Sequence, residues 1–146
     1  MEKSAIIQPN CAVYEFIDSN QSWMEELKDV YHHFILEDAF LVGPIIFTKE
    51  PYGIGEEKIT VYLPLNDEIE PIESLNLKFE PFFAVIPTLS EKCFEEDEFE
   101  IIYEAIRLVC KENNLKLADR PFYHTMADYM GGYVFEVHGQ IDVSEL

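Results

Sequence analysis

Residues 58–64 read Lys-Ile-Thr-Val-Tyr-Leu-Pro, and this short stretch fixes the structural interpretation of the first half of the chain. Its odd-numbered positions from 59 to 63 are aliphatic, whereas the even-numbered positions carry lysine, threonine and tyrosine. This two-residue period is typical of a half-buried β-strand. Pro64 is predicted to end the strand, because proline has no backbone N–H to donate.

Three further elements precede that strand. Residues 11–17 alternate and are rich in β-type residues, which predicts a first strand, with Pro9–Asn10 interrupting any longer strand. A capping-box spacing starting at Ser22 then introduces apolar residues at helical intervals, so a helix is predicted to end near Glu37. Residues 45–48 predict a second strand, and residues 51–55 predict the turn that leads into the strand at residues 58–63.

The second half repeats this order of elements. Residues 82–89 predict a strand, residues 90–97 a connection, and the spacing of apolar residues from Phe99 to Val109 an amphipathic helix. Asn113-Asn114 are predicted to stop this helix, residues 121–129 to form a strand, Gly131-Gly132 a hairpin turn, and residues 133–138 the closing strand. The sequence therefore predicts one α+β domain over residues 1–146, with β-α-β-β units at about 11–65 and 82–143. We expect an antiparallel sheet with two helices on one face.

Composition and charge restrict the classes of partner. The chain has 146 residues, with 29 acidic and 10 basic side chains, and a formal net charge of −19. Such a surface repels phosphate groups, so neither nucleic acid nor an anionic membrane is an expected partner. Cationic ligands and basic protein surfaces are favoured, although the charge could equally serve only to keep the protein in solution.

No cofactor or metal site is predicted. The three cysteines are scattered without a CxxC spacing, which excludes a disulfide scaffold and a zinc finger and is typical of a reducing compartment. His32 and His33 are adjacent, so on a helix they point about 100° apart and cannot chelate one metal ion. No stretch has the length of a signal-peptide core or a membrane span, so a cytoplasmic location is expected.

The order of elements resembles the GyrI-like effector-binding fold, which consists of two such units. The stretches that carry the resemblance are residues 43–47, 59–65 and 83–88. More narrowly, residues 43–47, 61–66, 99–106 and 121–129 resemble a family of small acidic proteins associated with type VII secretion toxin clusters. In that family, a relative serves as a cytoplasmic adaptor for a toxin.

The GyrI-like resemblance implies an aromatic-lined cleft between the two units, with an acid that pairs with a hydrophobic cation. The acid would fall on residues 123–125, where none stands, so Glu136 or Glu15 is the expected substitute. The aromatic residues expected at the cleft are Phe47, Tyr62, Phe83, Tyr123, Tyr133 and Phe135. The alternative is that these rings only pack across strands.

An acidic run surrounds the start of the second helix. Acids at a helix N-terminus are favoured by the helix dipole, but this effect accounts for only two or three of them. We therefore predict a partner-binding surface for a basic protein, and a solvated face is the alternative. The residues of this predicted surface are Glu95, Glu96, Asp97, Glu98 and Glu100.

Three functions remain open. The leading hypothesis is a non-catalytic cytoplasmic adaptor or chaperone for a protein such as a secreted toxin. The second is a sensor of small hydrophobic cations. The third is a hydrolase of the same cleft that uses Tyr62, Tyr123 and Glu136. Enzymatic activity is not expected, because neither a nucleophile motif nor a phosphate-binding loop is present.

Overall fold

Six strands and one long helix account for most of the chain in the computed structural model, which describes residues 1–19, 23–26, 29 and 39–144. Two short 3₁₀ helices, Glu73–Leu75 and Glu96–Glu98, lie on either side of the fourth strand. The strands and the helix are β1 (Glu2–Asp18), β2 (Ile45–Gly53), β3 (Glu56–Pro64), β4 (Leu77–Cys93), α1 (Phe99–Glu112), β5 (Tyr123–Tyr129) and β6 (Gly132–Gln140). The chain divides into two compact units, one of residues Gln8–Phe83 and the other of Met1–Ile7 with Ala84–Leu146.

In the unit formed by Gln8–Phe83, β3 is the central strand. It pairs antiparallel with β1 on one side and with β2 on the other. The aliphatic residues that alternate along β3 are fully buried, as is Phe47 on β2. Residues 23–26 are helical, and the Trp23 ring packs on Phe47 with centroids 4.6 Å apart. The same helical segment is tied to β1 by Tyr14, whose hydroxyl donates to Glu26 at 2.6 Å.

In the second unit, β6 takes the central place. It pairs antiparallel with β4 and with β5. Helix α1 buries the side chains of Phe99, Ile102, Ile106 and Cys110. These residues recur every three or four positions, so they lie on one face of the helix. The predicted α+β class, with antiparallel strands in two β-α-β-β units and one helix for each, is confirmed.

The first strand is longer than predicted. Pro9 and Asn10 do not interrupt it, and β1 runs without a break from Glu2 to Asp18. Asn10 adopts a left-handed backbone with φ of 55°, a conformation that asparagine tolerates better than most residues. Its carbonyl accepts a hydrogen bond from the N–H of Leu65 at 2.9 Å. This long-range bond holds the irregular position within the strand.

Two other predicted boundaries were wrong. The predicted connection at residues 90–97 begins inside β4, because the strand continues to Cys93 by pairing with β6. The hairpin between β5 and β6 turns at Met130 and Gly131, not at Gly131-Gly132. These two residues have φ of 46° and 85°. Two consecutive positive φ values are what a two-residue type I′ turn requires.

Of two further predicted boundaries, one differs from the structure and one agrees with it. The predicted turn at residues 51–55 is shorter, because β2 extends to Gly53 and only Ile54 and Gly55 form the turn. The predicted helix stop is confirmed, since Asn113 caps α1. The predicted end of the first helix and the adjacent histidines His32 and His33 lie outside the described residues.

Candidate functional site

The two faces of the strands in the second unit differ in chemistry. Phe135 of β6 meets the ring of Phe99 of α1 edge-on, with centroids 5.2 Å apart. At Gly139, an added Cβ would lie 2.9 Å from Ile106 of α1, so the backbone of β6 approaches the helix closely there. Phe135, Val137 and Gly139 therefore form the helix-facing side of β6, because alternate residues of a strand share one face.

The opposite face is polar, yet most of it is buried. The pairing of β4, β6 and β5 places residues side by side across the three strands. One such row consists of Ser90, His138 and Tyr123, and the next consists of Lys92, Glu136 and Thr125. These six residues and Thr88 make up a set of seven that is called the polar face below. Five of the seven are less than 9% exposed, namely Thr88, Ser90, Tyr123, Thr125 and His138. Burying a polar group costs about 1–3 kcal/mol when its hydrogen bonds are lost. A buried face of this kind is therefore a candidate functional site.

His138 is the most buried titratable residue of the polar face, with 1% of its surface exposed. Its Nδ1 lies 2.9 Å from the hydroxyl of Thr88, and its Nε2 lies 3.5 Å from Oε2 of Glu136. Within the described residues, Nε2 has no hydrogen-bond partner. Burial lowers the pKa of His138, and the nearby Glu136 carboxylate opposes this shift without overcoming it. The imidazole is therefore neutral at neutral pH, which is the form that burial favours.

Glu136 lies at the boundary between the buried rows and solvent, with 34% of its side chain exposed. Its second oxygen is 3.9 Å from Nζ of Lys92, whose own side chain is 66% exposed. An ion pair of that length and exposure contributes little, and the neighbouring His138 carries no charge. Glu136 therefore presents a carboxylate that its described neighbours neutralise only weakly.

A small cavity opens beside this carboxylate. Its volume is about 100 Å³. This is enough for several water molecules, since a cavity of about 10–15 Å³ already holds one. It is lined by Met1, Glu2, Ser90, Glu91, Lys92 and Glu136. Three of its six lining residues are acidic, and the positive groups are Lys92 and the N-terminal ammonium of Met1, which lies 3.0 Å from Oε2 of Glu91. The lining therefore keeps one net negative charge, so a cationic group suits it better than an anionic one.

The residues predicted to line a ligand cleft are distributed over both units. Phe47, Tyr62 and Phe83 belong to the unit Gln8–Phe83, and the other four belong to the second unit. Tyr62 and Phe83 are half-buried and stack at a tilt with centroids 4.3 Å apart. Phe47 is fully buried against Trp23, so its ring contributes to the packing of that unit.

In the second unit, only two of the four predicted residues lie on the polar face, Tyr123 and Glu136. Phe135 is on the helix-facing side, and Tyr133 lies 6.3 Å from it, centroid to centroid. Glu136 and His138 both fall within the predicted closing strand at residues 133–138, but only Glu136 was predicted as a site residue. His138, Thr88 and Ser90 were not predicted, although the alternation of polar residues along β6 could have indicated His138.

Part of the acidic run forms a turn that side-chain hydrogen bonds stabilise. Glu95 and Glu98 form a capping box around the 3₁₀ helix Glu96–Glu98. The carboxylate of Glu98 accepts the backbone N–H groups of Phe94 and Glu95, each at 3.2 Å. Two of the five acids predicted to bind a partner therefore stabilise the local fold, and all five are exposed.

The described cysteines and histidines lie in buried surroundings that do not favour nucleophilic chemistry. Burial raises the pKa of the Cys11 and Cys93 thiols to about 11, so both are protonated at neutral pH and are poor nucleophiles. His124 is fully buried on the helix-facing side, 2.5 Å from the hydroxyl of Tyr103. Among the residues that the structure describes, no group of three or more histidine, cysteine or acidic side chains could hold a metal ion.

Comparison with known families places the chain. The family described as "Domain of unknown function (DUF5085)" matches residues 6–145. The chain belongs to the DUF5085 family. No curated protein matches the sequence of this DUF5085 protein. Within its described residues, no helix is long and apolar enough to cross a membrane.

Solved structures similar to this DUF5085 protein share its fold at low sequence identity. The C-terminal domain of EcmrR has a TM-score of 0.67 and 13% identity, with 97% of each chain covered. EcmrR in a complex with DNA has a TM-score of 0.70 and 13% identity, with 97% of this chain covered. The DUF5085 chain spans 57% of that longer EcmrR chain.

Two further structures show the same fold. SAV2435 bound to tetraphenylphosphonium has a TM-score of 0.54 and 11% identity, with 99% of this chain and 96% of that chain covered. A hydrolase from Listeria innocua has a TM-score of 0.62 and 9% identity, with 97% and 92% covered. These likenesses confirm the predicted GyrI-like type of fold. They contain nothing on the narrower resemblance to proteins of type VII secretion clusters.

Proposed function

We propose that this DUF5085 protein is a small-molecule-binding domain that takes up a hydrophobic cation through Glu136. The observation that carries the proposal is the weakly neutralised carboxylate of Glu136 beside the buried, neutral His138. The bound tetraphenylphosphonium of SAV2435, a neighbour in fold, supports the choice of a hydrophobic cation as ligand class. This reading was the second of the three hypotheses drawn from the sequence.

The chemistry of the polar face determines what Glu136 could bind. A half-buried carboxylate interacts more strongly with a cation than an exposed one, because less water competes for it. His138 is neutral and the ion pair with Lys92 is long and largely exposed, so a ligand cation that binds directly would be a stronger counter-charge for Glu136. The net charge of −19 would in addition speed the approach of any cation.

The size of the cavity restricts how such a ligand would sit. Pockets that enclose whole drug-sized molecules measure about 300–1,000 Å³. The cavity of about 100 Å³ beside Glu136 is too small for that. It suits a cationic head group such as a primary ammonium, and the apolar remainder of the ligand would lie outside it.

The test is isothermal titration calorimetry with two cations, phenethylamine and tetraphenylphosphonium. Phenethyl alcohol is the neutral control for the first, and tetraphenylborate is the anionic control of the same shape for the second. We expect saturable binding of at least one cation and none of its control. The cavity size favours phenethylamine, whose ammonium is not shielded by rings.

The variant Glu136→Gln is expected to weaken binding about tenfold, which corresponds to about 1.4 kcal/mol. The matched variant Glu112→Gln removes one negative charge from an exposed position of α1 and is expected to leave binding unchanged. Equal weakening by both variants would show a general charge effect and refute the role of Glu136. A complete lack of binding by both cations would refute the proposed ligand class.

The adaptor and hydrolase hypotheses remain predictions, as does the cytoplasmic location. For the hydrolase, a turnover assay with aryl esters and epoxides is decisive, because Glu136→Gln should abolish any genuine activity of this site. We propose binding without catalysis, since the Cys11 and Cys93 thiols are protonated at neutral pH and no other nucleophile motif is evident from the sequence.

A further inference from the structure

An exposed pair of aromatic rings lies near the end of β4. Phe94 follows the last residue of that strand, and Tyr129 is the last residue of β5. Their rings are in contact, with centroids 5.5 Å apart, yet Phe94 is 54% exposed and Tyr129 is 50% exposed. Met130, in the adjoining hairpin turn, is 90% exposed. Three large apolar side chains thus meet solvent along a short stretch of the unit, where contiguous apolar surface often marks a binding site.

Exposed acids flank this apolar group on both sides in sequence. Asp128 precedes Tyr129, and Glu95, Glu96 and Asp97 follow Phe94. Residues 91–100 contain six acids and a single lysine. The charge here is therefore denser than the local fold requires, because the capping box uses only two of these acids.

The capping box also couples the acids to the aromatic pair. Glu98 accepts the backbone N–H of Phe94, so the start of the acidic turn is held against the residue that carries the ring. The aromatic side chains and the acids consequently belong to one built element rather than to separate loops. A partner that contacts the rings would meet the carboxylates of Glu96 and Asp97 at the same time.

We propose that this surface is a docking site for a basic segment of a partner protein, anchored by an apolar or guanidinium-bearing side chain on the aromatic pair. It is called the aromatic–acidic surface and consists of Phe94, Glu96, Asp97, Asp128, Tyr129 and Met130. The argument for this occupant is charge complementarity, since the carboxylates attract lysine and arginine and repel acidic sequences. The exposed rings add stacking and cation–π contacts. A basic segment without an aromatic, apolar or guanidinium side chain at that position would not make these contacts.

The probe for this surface is a fluorescein-labelled arginine-rich peptide with a central tryptophan, measured by fluorescence anisotropy. The reference peptide has serine in place of the tryptophan. We expect the protein to bind the tryptophan peptide about tenfold more tightly than the serine peptide. No preference between the two peptides would overturn the proposal, because charge alone would then explain the binding.

The double variant Phe94→Ala/Tyr129→Ala leaves the charge unchanged and is expected to abolish the preference. Should this variant fail to fold, as judged by circular dichroism, Met130→Asn is the second test. It removes an apolar side chain that is 90% exposed and suits the left-handed backbone of the turn. We expect it to reduce the preference about twofold to threefold. An unchanged preference in a folded variant of either kind would overturn the proposal.

The contribution of the acidic residues is tested with two double variants, each of which removes two negative charges. Glu96→Gln/Asp97→Asn changes the surface while sparing both residues of the capping box, and Glu68→Gln/Glu70→Gln changes exposed acids of the other unit. We expect the first to weaken peptide binding about fivefold at moderate salt and the second to weaken it less than twofold. Equal weakening would mean that the peptide samples the whole acidic protein, and the site would be refuted.

Discussion

Gly139 of β6 provides a sharp test of how the second unit holds its site in place. A Cβ added at this position would lie 2.9 Å from Cγ2 of Ile106, 3.1 Å from Cδ2 of Leu117 and 3.1 Å from Cε1 of Phe122. Carbon atoms in contact normally stay about 3.5–4.0 Å apart, so a methyl group would be about half an ångström too close on three sides. The variant Gly139→Ala forces β6 away from α1, and β6 carries both His138 and Glu136.

The expected cost follows from these contacts. Overpacking of a core by one methyl group costs about 1–3 kcal/mol. Replacing glycine within a strand recovers about 0.5–1 kcal/mol of backbone entropy. Because three neighbours surround the added methyl group, we expect a net loss of about 1–2 kcal/mol. Ile106→Ala creates a cavity at a fully buried position and is expected to cost about 2–5 kcal/mol.

The assay is urea denaturation of both single variants and of the double variant. Removing Cγ2 of Ile106 relieves the shortest contact, so the double variant is expected to be at least 1 kcal/mol more stable than the sum of the single losses predicts, by roughly the coupling usual for residues in contact. Gly132→Ala is the control, since the nearest atom to its added Cβ is a carbonyl oxygen 3.8 Å away. A neutral Gly139→Ala, or losses that add within about 0.5 kcal/mol, would refute the close packing.

Four further predictions concern hydrogen bonds, protonation and burial. His138 has a lowered pKa, so the unfolded chain binds more protons than the folded chain below the ordinary value of 6.5, and stability is lost as the pH falls through that value. Urea titrations at several pH values should show His138→Gln removing a slope of up to about 1.4 kcal/mol per pH unit, and identical slopes would contradict the neutral imidazole. Tyr103→Phe removes the hydrogen bond to the buried His124 and is expected to cost about 1–2 kcal/mol in the same assay; a change below about 0.3 kcal/mol would speak against that bond. Glu98→Ala removes the acceptor of the Phe94 and Glu95 N–H groups before α1 and should cost about 1 kcal/mol in the same assay; a loss below about 0.3 kcal/mol would speak against this cap. Cys11 should react with a disulfide reagent only after unfolding, because its thiol is buried and protonated at neutral pH; rapid reaction of the native protein would contradict its burial.

Helix α1 and strand β3 could be predicted well because their signals are local. The apolar spacing from Phe99 onwards repeats within a single helical turn, and the helix indeed begins at Phe99. The alternation along residues 59–63 likewise needs only the pleat of one strand, and those aliphatic residues are fully buried. In both cases, residues close in sequence determine which face meets the core.

The strand boundaries failed where distant partners decide the conformation. Ser90 and Lys92 looked like part of a connection because they are polar, yet pairing with His138 and Glu136 keeps them in β4. Asn10 looked like a breaker, but the N–H of Leu65 stabilises its irregular backbone within β1. Neither partner can be identified from the neighbouring sequence.

The sequence by itself determined the class of elements, their order and the acidic character of the chain, and its resemblance to a known fold left Glu136 and Glu15 as candidate acids. Only the tertiary structure decided which polar residues are buried together. Thr88 and His138 are 50 residues apart in sequence and 2.9 Å apart in the fold. Burial and the separation of charges are properties of that assembled environment, so the neutral state of His138 and the weak neutralisation of Glu136 follow from the packed strands rather than from residue type.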